Sequence, residues 1–498
     1  MALAWEGKQI HIVGASGIEG TALLLYLAGE QGIEGIVAHD FSSDQDEFVR
    51  SFHKTNTAWD QQQRQEILEQ MLALPAHFCL GERYLEGIHE ADVIFASQNW
   101  FNYPANRPAL DNAIANGAKM LGILDLGLSL FMGCRITVTG SNGKSTTSAL
   151  IGHLLNHCVD ASAQVFVSGN ERSRQVPLSE IQGAASTDFS VWEVSNRHLR
   201  DRTVQGDIAV LTNITLNHVE DHGSWEAYIA AKSRLVLAPG SDGHAVLSAV
   251  DPQSMTITEQ VRATGATLWL FGQKPPASSV DGHCWVDQNR LKLRCPDGPE
   301  LDVGDVSGLP LPGDHNLLNL QAALCAVAAC GFTDTKALND SFASIPGLSG
   351  RLETVATSDG VRWIYDIQAT TAPAAAAGIK AIGATTQRIV LLVGGEDKGM
   401  DFSAMADQAA LHCDVVLALP GSGTDAFLRC LDERCEVLHC ATLEAALELA
   451  KLRSSPGDAV LLSPGCAFFY RAYIDGGPSY LERVRRMLAL HSQQKEQT

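Results

Sequence analysis

Ile136-Thr137-Val138-Thr139-Gly140-Ser141-Asn142-Gly143-Lys144-Ser145-Thr146-Thr147 is the stretch from which the fold of this chain is read. The run ending at Thr139 predicts a buried strand. Gly140 and Gly143 predict a tight loop whose peptide N–H groups turn inward. A helix then opens at Lys144, with the positive end of its dipole at the loop. Lys144 is placed to reach the β- and γ-phosphates of a nucleotide, and the Ser145 or Thr146 hydroxyl to ligate Mg²⁺. The phosphate-loop pattern asks for glycine at position 138 and meets Val138, so the match is partial. An ordinary glycine turn explains the glycines but not the lysine and hydroxyls at the helix mouth. Gly140, Ser141, Asn142, Gly143, Lys144, Ser145 and Thr146 are therefore read as the nucleotide-binding loop.

Composition bounds the rest. A chain of 498 residues is too long for one core and implies several domains, and 45% hydrophobic with 19% charged residues suits an α/β enzyme. A formal charge of −21 argues against nucleic acid as the partner, because a polyphosphate needs a basic stripe. The twelve cysteines show no C-x-x-C pair and no zinc spacing, and are read as reduced, mostly packed side chains. Neither a leader pattern at the start nor an apolar run of spanning length is visible, so cytoplasmic placement without membrane insertion is expected.

Three α/β blocks follow in order, at residues 1–130, 131–346 and 347–498. In the first, the strand Gln9–Val13, the turn Gly14-Ala15-Ser16-Gly17-Ile18-Glu19-Gly20, a helix over Thr21–Ala28 and a strand from Gly35 ending at Asp40 describe half a Rossmann unit. Residues 42–75 are polar and helix-prone, and a solvated helical insertion is expected there. Ala91–Ser97 predicts a further strand of the same sheet. The second block carries apolar strands at Phe189–Val194 and Asp207–Thr212, then short β segments up to Gly308 and an Ala-rich helix over Leu320–Cys330. Ile345–Gly350 predicts a linker. The third block alternates strands at Arg362–Tyr365, Ile389–Val393, Val415–Leu419 and Ala459–Leu462 with helices, which implies a parallel sheet covered on both faces.

Glu193 ends one central strand, and ligands of open α/β sheets gather at strand carboxyl ends. The next strand runs into Asn213-Ile214-Thr215-Leu216-Asn217-His218-Val219-Glu220-Asp221-His222, too dense in polar groups for a plain turn. His218 is a candidate imidazole ligand for a divalent ion, with the neighbouring acids and His222 around it. Tyr228-Ile229-Ala230-Ala231-Lys232 then sets a lysine on a helix.

The order Thr139–Thr146, Glu193, Asn213, His218, His222, Lys232 resembles the central domain of the Mur ligases. Gly313-Asp314-His315-Asn316-Leu317-Leu318-Asn319, Gly350-Arg351-Leu352-Glu353, Tyr365-Asp366, Gly394-Gly395-Glu396-Asp397-Lys398 and Leu462-Ser463-Pro464 carry the likeness across all three blocks. Within the family it is strongest to members that add glutamate to a UDP-N-acetylmuramoyl-L-alanine carboxylate. The resemblance implies three domains. The first is Rossmann-like and binds the UDP-linked substrate, the second is a P-loop-type sheet that binds ATP, and the third is Rossmann-like and takes the amino acid. It implies an ADP-forming amide ligase of peptidoglycan precursor synthesis that works through an acyl phosphate.

By the same resemblance, Lys144 and the loop hold the β/γ-phosphates. Ser145 and Glu193 hold one Mg²⁺; His218 and a carbamylated Lys232 serve a second. Asn316 and Arg351 bind ATP, and Asp366 its ribose. Ser16, Gly17, Ile18, Glu19 and Asp40 bind the UDP group, with Asn213 near the donor's reactive end. Thr370, Lys398 and Phe468 lie at the acceptor.

The chain departs from the family at defined points. Gln368 stands where the family has lysine, Phe468 where it has serine, Gln98-Asn99 for Pro-Gly, and Arg197-His198 for Phe-Gln; Asn217 and Glu220 replace an acid pair around His218. These changes fall mainly on the acceptor side, so D-glutamate, L-glutamate or another amino acid stays open. Competing readings are the same chemistry in a specialised pathway, a silent nucleotide-binding regulator and an NAD(P)-dependent dehydrogenase. The regulator predicts loss of Lys144, Glu193, His218 or Lys232, and all four are present. The dehydrogenase leaves the phosphate loop unexplained.

Overall fold

In the computed structural model, the residues described are 7–56, 59–97, 100, 103–168, 177–199, 204–215, 222–275, 279, 281–310, 312–397, 399–467, 469 and 480–495. The chain divides into two compact units, Met1–Val306 with Asn319–Ser341, and Ser307–Leu318 with Phe342–Thr498.

The first unit carries two sheets. Strands β1 (Ile10–Val13), β2 (Ile36–Asp40), β3 (Ala76–Leu80), β4 (Val93–Ala96) and β5 (Lys119–Leu121) form a parallel sheet in the order β3-β2-β1-β4-β5. This is the doubly wound order, and its direction reverses between β1 and β4. The helix at Ile18–Leu24 runs on as wider π-turns over Leu25–Glu30.

Residues 42–75 are not the solvated insertion their polarity suggests. They form the crossover between parallel β2 and β3, with helices at Gln45–Thr55 and Gln61–Leu72. Asp44 caps the first; Asp60 and Gln63 close a capping box on the second. Phe48 and Phe52, one turn apart, are buried in the core with Leu68 and Met71. Two aromatics on one stripe are enough to anchor a helix whose other faces are polar.

On the other face of this sheet, His11 Nδ1 and His39 Nε2 lie 2.8 Å apart, and His39 Nδ1 meets the Tyr84 carbonyl. A carbonyl only accepts, so His39 carries its proton on Nδ1 and accepts from His11 at Nε2. In this arrangement the pair is complete with both rings neutral. Burial, then the charges of His39 and His89, lowers His11 to about 4. Burial and His77 lower His39, against the bond to Tyr84. Unfolded histidines take up protons near 6.5, so the unfolded chain binds more protons below that pH. The pair's contribution is complete above about 6.5 and is lost as pH falls toward about 4. The first unit is expected to melt a few degrees lower at pH 5 than at pH 7.5, and this gap should shrink in His11→Leu. Melting curves with the same gap in both proteins would refute it.

The second sheet of this unit has nine strands. Its parallel part is β7 (Val165–Ser168), β8 (Phe189–Glu193), β6 (Cys134–Thr139), β9 (Ile208–Leu211), β10 (His244–Ser248), β11 (Thr267–Phe271) and β12 (Gly282–Asp287), in that spatial order. Strands β13 (Arg290–Arg294) and β14 (Glu300–Asp305) add an antiparallel edge. Central β9 is buried along its whole length, as a strand covered on both faces must be. The two sheets share one apolar core, which runs from Ile12 and Phe52 to Trp192 and Leu211. Helix Ile123–Leu130 carries the join: a Cβ on Gly127 would lie 2.4 Å from the Trp192 ring.

The second unit holds a six-stranded sheet, β15 (Glu353–Ser358), β16 (Val361–Tyr365), β20 (Ala459–Leu462), β17 (Ile389–Val393), β18 (Cys413–Ala418) and β19 (Glu436–His439), again in spatial order. All pairs are parallel except β15–β16. The helix expected at Leu320–Cys330 spans Asp314–Ala329, so Asp314, His315 and Asn316 sit in its first turn.

Candidate active site

The phosphate loop lies at the carboxyl end of β6, between β8 and β9. The register sets Val138 opposite both Glu193 and Val210, so Glu193 and Thr212 sit on the same sheet edge as Gly140. The backbone needs its glycines. Gly143 caps helix Lys144–Cys158 at φ 83°, and a Cβ there would lie 2.3 Å from Asn319 Oδ1. A Cβ on Gly140 would meet Thr212 Oγ1 at 1.8 Å.

The loop is pinned from the next strand. The Ser141 N–H donates to the Asn213 carbonyl (2.9 Å) and the Asn142 N–H to Asn213 Oδ1 (3.0 Å). Thr212 Oγ1 and Asn213 Nδ2 donate to the Asn142 carbonyl at 2.6 and 3.0 Å. Ser141 Oγ donates to the Thr215 carbonyl (3.0 Å), accepts the Thr215 N–H (2.9 Å) and lies 2.8 Å from the Tyr228 hydroxyl. Asn213 thus bonds the loop through both its amide oxygen and its amide nitrogen. Its own spacing in the chain gives no sign of that direction. The N–H groups that point to the loop mouth are those of the helix's first turn, from Lys144 onward. Ser145 and Thr146 are buried within it.

Two lysines meet one oxygen. Lys144 Nζ donates to the carbonyls of Gly140 (3.0 Å) and Ser141 (3.1 Å), while Lys232 Nζ donates to the same Gly140 carbonyl at 2.9 Å. Lys232, on helix Trp225–Leu237, is 1% exposed and lies 4.8 Å over the Tyr228 ring. Burial, reinforced by the charge of Lys144, holds its amine well below the usual lysine range.

Glu193 is buried and carries no hydrogen bond or ion pair among the described residues. No three His, Cys, Asp or Glu side chains gather as a metal cage among the described residues. A magnesium ion that arrives with nucleotide phosphates needs only one or two protein oxygens, and the Glu193 carboxylate and the Ser145 hydroxyl are oxygens of that kind. His218 lies outside the described residues.

At the first sheet the glycine turn is closed by Asp40. This carboxylate is fully buried, accepting the Ser16 N–H (2.9 Å), the Ser42 N–H (3.2 Å) and the Ser42 hydroxyl (2.7 Å). Asp40 therefore shapes the turn from within. Ser16 Oγ pairs with Ser51 Oγ at 2.9 Å, Gly17 caps the helix, and Ile18 and Glu19 open it.

In the second unit, Asp366 ends β16 with both oxygens engaged, accepting the Leu352 N–H (3.1 Å) and the Ser463 hydroxyl (2.8 Å). Burial pushes it up to about 7, against those two bonds and the charge of Arg351. Leu352 has a left-handed backbone, φ 48°, which the Asp366 bond stabilises. Asp366 thus braces the turn that carries Arg351. Asn316 donates to the Pro312 carbonyl at 2.8 Å. Thr370 and Gln368 are exposed. Lys398 and Phe468 lie outside the described residues, as do Gln98, Asn99, Asn217 and Glu220.

Asn319 was not singled out from the sequence, although it closes the Gly313–Asn319 motif. It is buried against Gly143 and accepts from Thr147 Oγ1 at 3.4 Å.

Comparison with known proteins identifies the family. Residues 138–327 match the Mur ligase middle domain, and residues 350–466 match the family's glutamate ligase domain. The UDP-N-acetylmuramoylalanine–D-glutamate ligase of Koribacter versatilis is 30% identical over 387 residues, covering 77% of this chain and 82% of that protein. Its counterpart in Pelotomaculum thermopropionicum is 31% identical over 424 residues, covering 84% and 88%. Among solved structures, the UDP-N-acetylmuramate–alanine ligase of Thermotoga maritima aligns over 98% of this chain and all (100%) of its own, with a TM-score of 0.55 at 15% identity. The MurF ligase of Thermotoga maritima, in complex with ADP, aligns over 82% and 97%, with a TM-score of 0.54 at 19% identity.

Proposed function

The chain belongs to the Mur ligase family, and from that premise we propose that it is an ADP-forming acid–amino-acid ligase acting on a UDP-N-acetylmuramoyl-L-alanine-type donor, with glutamate as the amino acid it adds. The observation that carries this reading is the meeting of Lys144 and Lys232 on the Gly140 carbonyl, with Glu193 at the end of the neighbouring strand. Domain limits at 1–130, 131–346 and 347–498 are part of the proposal.

A carboxylate is a poor acyl donor. Its oxygen attacks the γ-phosphorus of ATP, the bond to the β-phosphate oxygen breaks, and an acyl phosphate and ADP result. The amine of the amino acid then attacks the acyl carbon, and collapse of the tetrahedral intermediate expels phosphate. This chemistry asks a protein mainly for position and charge neutralisation. Lys144 would leave the loop carbonyls for the β/γ-phosphates, while the first turn of its helix donates N–H groups to them. Asn213, Thr212 and Ser141 would hold the loop in shape during transfer. Ser145 and Glu193 would hold one magnesium ion, and His218 and Lys232 a second, which when bound would neutralise phosphate charge. Asn316 and Arg351 would bind the nucleotide, with Asp366 bracing Arg351. Ser16–Glu19 would meet the UDP group; Thr370, Lys398 and Phe468 would line the acceptor.

Lys232 is suited to carbamylation. Its neutral nitrogen attacks the carbon of CO₂, an N–C bond forms, and one proton leaves the nitrogen for water. The product exposes anionic oxygens that a metal accepts, which an ammonium never does.

A second reading keeps the chemistry and changes the acceptor to L-glutamate or another amino acid. Gln368 supports it, because an uncharged side chain stands where the family carries a cation. The test is phosphate release from ATP and Mg²⁺ with UDP-N-acetylmuramoyl-L-alanine against a panel of D- and L-amino acids. Release with D-glutamate alone supports the first reading; release with a different acceptor supports the second. ATP binding without release for any acceptor removes the proposed donor.

A further inference from the structure

Helix Trp225–Leu237 reaches the phosphate loop with two side chains set one turn apart on the same face. Lys232 meets the Gly140 carbonyl, and Tyr228 meets Ser141. The tyrosine is buried, and neighbouring rings fix its plane. Trp225 stacks on it at 5.6 Å and 19°, and His222 meets it edge-on at 5.3 Å. A ring held in this way aims its hydroxyl in one direction.

The sense of the Tyr228 bond follows from what Ser141 Oγ can do. A serine hydroxyl has one proton and two lone pairs. The proton goes to the Thr215 carbonyl, and one lone pair takes the Thr215 N–H. A lone pair remains for the third contact, at 2.8 Å, so the Tyr228 hydroxyl donates to Ser141.

Three side chains thus hold the Gly140–Ser141 segment, and they differ in kind. Lys144 bonds the Gly140 and Ser141 carbonyls, Lys232 bonds the Gly140 carbonyl, and Tyr228 bonds the Ser141 side chain. The proposed chemistry calls both lysines away: Lys144 turns to phosphate, and Lys232 exchanges an ammonium charge for a carbamate. The ring face 4.8 Å beneath Lys232 attracts an ammonium and not an anion, so that contact weakens in the same step. The phenol bond to Ser141 involves neither amine and survives both changes.

We propose that Tyr228 is a positioning residue, a tether that keeps the helix of Lys232 in register with the phosphate loop while the two lysines act on the nucleotide. It touches no reacting atom. The moment at which the tether matters rests on the proposed function, because that reading moves the lysines.

The experiment is amide hydrogen exchange at Ser141 and Thr215 in wild type, Tyr228→Phe, Lys144→Ala and the double variant. Tyr228→Phe keeps the buried ring and removes only the hydroxyl. Without nucleotide, each single variant should exchange within about twofold of wild type, and the double variant about three- to tenfold faster, the range for one net hydrogen bond. With ADP and Mg²⁺, Tyr228→Phe alone should show that acceleration over wild type, since nucleotide draws Lys144 off the loop. In steady-state turnover, Tyr228→Phe should lower kcat about three- to tenfold and leave the KM for ATP within about twofold.

A double variant that exchanges like wild type overturns the tether. So does an acceleration in Tyr228→Phe of equal size with and without ADP, the mark of a residue that only supports the fold. Wild-type kcat in Tyr228→Phe overturns its part in the reaction. Acceleration in the double variant but none on adding ADP sustains the tether and rejects the movement of Lys144 to the nucleotide. Acceleration in both, without turnover of the muramoyl donor, sustains the tether and rejects the donor.

Discussion

Replacing Lys144 by alanine is expected to lower phosphate release by about a thousandfold or more, the scale set by removing a preorganised charge from a phosphoryl-transfer site. The side chain is half-buried and bonds two loop carbonyls, Gly140 and Ser141. The loop keeps its shape without it, because Thr212, Asn213 and Ser141 pin the backbone independently. Thermal stability should therefore stay close to wild type while turnover collapses. Lys144→Arg should not restore it: a planar fork does not replace a compact point charge between two carbonyls. Steady-state phosphate release with ATP, Mg²⁺ and the muramoyl donor is the measurement, and near-normal rates in either variant would remove Lys144 from the chemistry.

Lys232 should show the opposite relation between stability and activity. An amine with 1% exposure costs free energy to bury, and its ammonium form costs more, with Lys144 pressing on it. Lys232→Met fills a similar volume without the polar nitrogen. It is expected to melt at or above the wild-type temperature and to lose about a thousandfold or more in turnover. Lys232→Arg should be inactive as well, since a guanidinium stays charged and takes up no CO₂. A carbamate carbon in the ¹³C spectrum of protein equilibrated with ¹³CO₂, absent from Lys232→Met, would identify the modification. Wild-type turnover in Lys232→Met would contradict the assignment.

Both residues were readable from the sequence because their signals are short-ranged or ordered along the chain: a glycine loop entering a helix, then a lysine on a later helix. The three parallel-dominated sheets were readable for the same reason, since strands buried on both faces are written as unbroken apolar runs. The crossover at 42–75 was hidden by composition, because only Phe48 and Phe52 on the first helix and Leu68 and Met71 on the second mark its inner face. Asp40, Asn213 and Asp366 were placed correctly at strand ends, but spacing does not say whether a polar side chain turns inward or outward. In the structure all three turn inward, to Ser16, Asn142 and Leu352. Asn319 reaches Thr147 across 172 residues of sequence, a pairing that only the folded chain brings together.

The continuous core beneath the first two sheets bears on how this protein can be inherited in parts. Helix Ile123–Leu130 buries Leu124, Leu126 and Leu128, and Gly127 lies hard against Trp192 of β8. A gene fragment ending near residue 130 would leave that apolar face wet, and a large uncovered patch invites association with other chains. The first-sheet half of the first unit is thus not a freely exchangeable cassette. A recombinant that imports a foreign first block must also import, or rebuild, the surface that meets Trp192.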